Sequence, residues 1–118
     1  MEECILTSIK KLLGIADEDT SFDEDIKIHI NTVFSILNQI GVGPSSGFRI
    51  TDDETWNSFM NDALVFESVK TYVYLRVKLI FDPPLTASVM DSINNTLKEL
   101  EFRLNVSAEN KKEDTQNE

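Results

Sequence analysis

The acidic run Asp17, Glu18, Asp19, Asp23, Glu24 and Asp25 invites a calcium site, because a hard cation takes carboxylate and carbonyl oxygens. Asp17, Asp19 and Ser21 match the first three odd positions of an EF-hand loop. The match then fails. Phe22 stands at the glycine position and Ile28 at the closing glutamate. The run therefore reads as helix capping and a solvated loop, and no metal site is expected.

The other reactive residue types stand alone. His29 has no second histidine and no cysteine near it in sequence, and a ligand or triad site needs several converging groups. It reads as a semi-exposed histidine at the edge of an apolar face. Cys4 lies in a first helical turn, where a thiolate is favoured, but no base or orienting group accompanies it. Gly41-Val42-Gly43 lacks the lysine and remaining glycines of a phosphate-binding loop. Tyr72 and Tyr74, interleaved with Arg76 and Lys78, have the residue types of a base-stacking platform. Their helical setting assigns them to core and interface roles instead. Neither a catalytic set nor a cofactor is expected, and the chain does not read as an enzyme.

Charge points the same way. The 118 residues carry 21 acidic and 11 basic side chains, for a net charge of -10. A nucleic-acid surface needs clustered Lys and Arg, and none is present. Anionic lipid would also repel this chain. Nothing approaches the ~20 consecutive apolar residues of a membrane span. Met1-Glu2-Glu3 is unlike the basic start of a secretory signal, so a cytosolic site of synthesis is expected. A single cysteine allows no internal disulfide.

Periodicity predicts an all-α bundle of four to five helices. A first helix over about Glu3 to Leu13 carries Ile5, Ile9, Leu12 and Leu13 on one face, with Gly14 as its cap. A second is opened by a Ser21/Glu24 capping box and lined by Ile26, Ile30, Val33, Phe34, Leu37 and Ile40, up to Gly41. Residues 41 to 51 form a long loop in which Phe48 and Ile50 alternate with Arg49, leaving room for a short extended piece or hairpin. Thr51 and Glu54 pattern a second capping box before a short third helix bearing Trp56, Phe59, Met60, Ala63 and Leu64. A fourth, about Leu64 to Phe81, has Phe66, Val69, Val73, Val77 and Ile80 on one stripe and Tyr72, Leu75 and Leu79 on another. A helix apolar on two sides is central to its bundle or buried between subunits. Asp82-Pro83-Pro84 stops it.

The fifth helix, about Thr86 to Asn105, carries Val89, Ile93, Leu97, Leu100 and Leu104. Phe102 stands about 130° or more of helix rotation from most of that stripe, at ~100° per residue. Residues 106 to 118 are too polar to sustain a core. They are expected to be a flexible tail that orders on a partner through backbone bonds and through Val106 and Ala108. The expected organisation is a helical domain over 1–105 and a tail over 106–118.

The run Val69-Lys70-Thr71-Tyr72-Val73-Tyr74-Leu75-Arg76-Val77-Lys78-Leu79-Ile80-Phe81-Asp82-Pro83-Pro84, with the later Leu97-Lys98-Glu99-Leu100-Glu101-Phe102-Arg103-Leu104-Asn105, resembles the small head-tail connector proteins of tailed bacteriophages and prophages, also called adaptor or head-completion proteins. Asp25-Ile26-Lys27-Ile28-His29-Ile30-Asn31 and Gly41-Val42-Gly43-Pro44 look like the same family's second helix and following loop. The resemblance covers about residues 3 to 105. It implies a structural virion subunit that forms a homo-oligomeric ring, commonly twelvefold, beneath the portal protein. Such a ring extends the DNA channel and meets the next connector or tail-completion protein. In related adaptors a C-terminal segment reaches into the portal. DNA would pass through without specific binding, and the protein would reside at the head-tail interface of the virion. Phe48, Arg49, Ile50, Tyr72, Tyr74, Arg76, Phe102, Val106 and Ala108 are the expected interface residues. Another phage morphogenesis factor or a small helical interaction module is the alternative.

Overall fold

A computed structural model describes the backbone of residues 2–116 and the side chains of residues 2–111. Five helices follow one another: α1 (Ile5–Leu13), α2 (Asp23–Ile40), α3 (Trp56–Phe59), α4 (Ala63–Phe81) and α5 (Ala87–Gln116). There is no strand among the described residues. An isolated antiparallel bridge between Cys4 and Thr55 is the one extended pairing there, so the room for a hairpin in the 41–51 loop is not used.

The helix with two apolar sides is indeed the centre. α4 packs on α1, α2 and α5, and Phe66, Val69, Tyr72, Val73 and Val77 are all buried. From α2 come Ile26, Ile30, Val33, Phe34 and Leu37, and from α5 Leu97 and Leu104. Fully burying each such aliphatic or aromatic side chain contributes about 1.5–3 kcal/mol. Phe34 is the hub of an aromatic cluster, with ring centroids 4.7 Å from Phe59, 5.3 Å from Phe48 and 6.3 Å from Trp56.

Several stripe residues miss the core. Leu12 and Val89 are exposed, while Leu6 is buried in α1. α1 meets α2 and α4 at once, so its covered arc is wider than one stripe and turned toward Leu6. Val89 sits in the first turn of α5, just after the connection from α4, and is about half exposed.

The caps differ from the predicted boxes. α2 begins at Asp23 with Phe22 at its cap, and no side chain closes that end. The Ser21 N–H instead donates to Asp19 Oδ1 at 3.1 Å, and Glu24 pairs with Lys27, so the Ser21/Glu24 box does not form. Thr51 and Glu54 do engage, but ahead of the helix: Thr51 N–H and Oγ1–H both reach the Glu54 carboxylate, as does Asp52 N–H at 2.8 Å. They tie a turn, and α3 starts later, at Trp56. At the other end of α2, Gly41 adopts φ +99° and its N–H donates to Leu37 O and Asn38 O, with Val42 N–H also reaching Leu37 O. A left-handed residue with this bonding is the glycine cap the pattern calls for.

α5 does not stop at Asn105. It runs on to Gln116, so the boundary between domain and tail is not a break in the helix. Nothing at Asn105 can end a helix: no Pro or Gly follows, and Ala108, Glu109, Lys111, Lys112 and Glu113 are good helix formers. Residues 117 and 118, the end of the expected tail, lie outside the described residues.

Candidate functional site

The acidic run is organised by a cation that belongs to the chain. Lys10, 2% exposed, donates to the carbonyls of Asp17 at 3.0 Å and Asp19 at 2.8 Å, and its Nζ lies 2.9 Å from Asp23 Oδ1. That carboxylate oxygen is buried and accepts no aligned hydrogen bond, so the ammonium charge is its compensation. The Asp17 and Asp19 carboxylates are engaged by Thr7 and Ser21. Among the described residues no three His, Cys, Asp or Glu side chains converge on a point where a metal would sit. Lys10 was invisible to sequence reasoning because an isolated lysine on an amphipathic helix is ordinarily solvated.

The 41–51 loop is fixed inward. Asn31 Nδ2 donates to Ile50 O at 2.9 Å, and Ile50 N–H donates to Asn31 Oδ1 at 2.6 Å. The Asn31 amide thus acts as a strand partner for one residue. Ile50 is 1% exposed and Phe48 stacks in the Phe34–Phe59 cluster. Of the three interface residues expected here, Ile50 is spent in the subunit's own core, Phe48 is half-buried, and Arg49 stays exposed.

Tyr72 is likewise spent. It is fully buried, and its hydroxyl accepts from Arg76 Nε at 3.1 Å, while Arg76 Nη2 reaches Glu101 Oε1 at 2.9 Å. Burial raises the Tyr72 pKa. The trio joins α4 to α5; Arg76 within it is half-buried, as is Tyr74 nearby on α4.

Phe102 behaves as its off-stripe position predicts. It is 70% exposed, with Val106 at 37% one turn further along the same face. Leu64, at the start of α4, is 94% exposed and lines the same shallow depression as Phe102 and Val106. The sequence pattern put Leu64 on the apolar side of the third helix and also at the start of the fourth. The missed signal is that Asp62 caps α4, its Oδ1 accepting from Leu64 N–H at 3.0 Å, which begins a new helix and turns Leu64 outward. Three large apolar side chains from two helices thus share a patch of water-facing surface. A second group of exposed apolar residues, Ile80, Leu85 and Val89, lies around the α4–α5 turn.

Ala108 points the other way. A Cβ placed on Gly41 would stand 3.2 Å from the Ala108 Cβ, so α5 lies directly against the end of α2. Between them and the α3–α4 connection is a partly enclosed cavity of about 220 Å³. Its wall includes Gly43, where any Cβ would overlap the Phe59 ring, so only glycine permits that approach.

The described surface thus combines two groups of exposed apolar side chains, an α5 extension leaning on a glycine loop, and an acidic composition. A protein-family model described as phage connector protein matches residues 5–111. No curated protein and no solved structure matches the chain.

Proposed function

Because this chain belongs to the phage connector protein family, we propose that it works as a head-tail adaptor, copies of which form a ring beneath the portal and extend the DNA channel toward the tail. Family membership makes it a structural component of the virion. The observation that carries the finer reading is the Leu64–Phe102–Val106 patch. Three large apolar side chains grouped in water at the meeting of two helices mark a surface that is covered on assembly. The rest of the exterior supports it. A net charge of -10 lines a conduit without gripping the phosphates that slide through it. No helix among the described residues is long and apolar enough to cross a membrane.

The portal is the proposed neighbour on one side, and the next connector or tail-completion protein on the other. The exposed Arg49 and the α5 extension are the proposed contacts with them. Two experiments bear on this. Imaging the portal vertex of assembled heads should show the chain as a closed ring below the portal. Phe102→Ser and Leu64→Ser should each leave the thermal midpoint of the free subunit nearly unchanged yet reduce the yield of tailed particles. Heads that complete normally with both residues changed would remove the patch from the assembly surface. A vertex without the chain would end the adaptor reading.

A further inference from the structure

We propose that the two exposed apolar groups are the halves of one contact between copies of this chain: the α4–α5 turn of one copy, led by Leu85, seats in the Leu64–Phe102–Val106 depression of the next.

Leu64, Phe102 and Val106 meet where α4 begins and α5 passes it, whereas Ile80, Leu85 and Val89 lie where α4 ends and α5 begins. Leu64 and Ile80 stand about 24 Å apart along α4, at roughly 1.5 Å per residue. Neither group can therefore cover the other within one chain. Each leaves large apolar side chains in water, and removing them from it favours association. Leu85 is the most exposed of the six, at 102%. It follows Pro83 and Pro84, whose fixed φ stiffens the turn, so little freedom is lost when Leu85 is seated.

Charge selects the pairing. Arg103, with its side chain 68% exposed, borders the depression, and no carboxylate lines it. Arg103 gives Nη2 to Glu99 on the preceding turn of α5. A guanidinium has five N–H donors, so others remain for a second carboxylate. The turn carries the opposite sign. The Asp82 side chain is 65% exposed and meets Lys78 only at 3.6 Å, and Asp91 is exposed on α5. Pairing like surfaces fails both ways: two depressions would set Arg103 against Arg103, and two turns Asp82 against Asp82. A turn on a depression sets Asp82 against Arg103, a carboxylate against the planar fork that matches it. Between chains of net charge -10, which repel one another at a distance, that local complement fixes which surfaces meet.

The contact joins two different surfaces, so each copy in a contact still offers one of them. Copies therefore add head to tail until the series closes. That it closes as the ring below the portal rests on the adaptor reading; that the turn seats in the depression does not.

The test is cross-linking with charge exchange. Cys4→Ser removes the native thiol, and Leu64→Cys and Leu85→Cys are placed together on that background. The purified subunit and isolated heads are treated with a bis-maleimide too short to join the two positions within one chain. The expected product is a ladder of covalent multimers beyond the dimer, with no multimer from either single-cysteine chain. Arg103→Glu or Asp82→Lys, added to the two-cysteine chain, should each abolish the ladder. Both together should restore it, because opposite charges then meet with their signs exchanged. Both positions are exposed, and a lysine at the end of α4 suits the negative end of the helix dipole, so the far-UV circular dichroism of these variants should be unchanged. The proposal is overturned by a dimer from Leu64→Cys or Leu85→Cys alone, or by a ladder that stops at the dimer. It is equally overturned by multimers indifferent to the charge reversals, by a double reversal that restores nothing, or by no multimer in either preparation. A charge-dependent ladder together with a portal vertex that lacks the chain would keep this contact and end the adaptor reading alone.

Discussion

Lys10 Nζ lies 2.9 Å from Asp23 Oδ1, joining the middle of α1 to the first residue of α2 with little water at either group. The same ammonium holds two carbonyls of the intervening loop, so a single side chain closes the whole acidic turn. Removing it strands a largely buried carboxylate. Lys10→Met should lower the unfolding free energy by about 3 kcal/mol, in the range for breaking one side of a buried pair. Asp23→Asn should cost less, because the ammonium keeps its carbonyl partners. Urea denaturation of both variants measures this; a Lys10→Met loss below that of Asp23→Asn contradicts it.

Asn31 carries the 48–50 segment by a two-way amide pairing with Ile50. Asn31→Ala leaves an N–H and a carbonyl with no partner at a part-buried site, costing about 1–3 kcal/mol. Phe48 should then loosen from the Phe34–Phe59 cluster, visible as a loss of near-UV circular dichroism while the helical signal persists. An unaltered aromatic signal would show that Phe48 is held by stacking alone.

Glu54 accepts the N–H of Asp52 foremost, together with bonds from Thr51, and these hold its pKa down at about 2 against an ordinary 4.5. A carboxyl whose folded value is depressed contributes stability that is present above its unfolded value. That contribution fades as pH falls from about 4.5 toward 2. Glu54→Gln should therefore lower the thermal midpoint by about 3 °C at neutral pH. The difference from the unmodified chain should shrink as pH falls through this window. A difference that is constant with pH would mean the turn does not depend on the charge.

The acidic exterior should keep the isolated chain off DNA. No mobility shift is expected for duplex DNA at micromolar protein in physiological salt. A salt-sensitive shift would contradict the conduit argument, since the wall would then retard the strand it is meant to pass.

The helical class, the central place of α4, the stop at Pro83-Pro84 and the exposure of Phe102 were all legible in the chain, because each follows from spacing within one helix or from proline's missing N–H. So was the glycine cap at Gly41. Which neighbour covers a given face is a different kind of information. Trp56 Nε1–H donates to Ser8 Oγ across 48 residues at 2.8 Å, Asn31 meets Ile50, and Lys10 turns into an acidic loop that also reads as a solvated cap. None of these pairings has a periodic signature. Leu64 belonged to an apolar pattern yet faces water, because the Asp62 cap reset the helix phase. Composition argued for a tail starting at residue 106, but the end of α2 stands beside that stretch of α5 and supplies Gly41 and the Ile40 carbonyl for it to lean on. Local pattern determines which segments coil and where they break. Burial and partnership depend on which surfaces the packed helices bring together, and in this protein only the tertiary structure decided that.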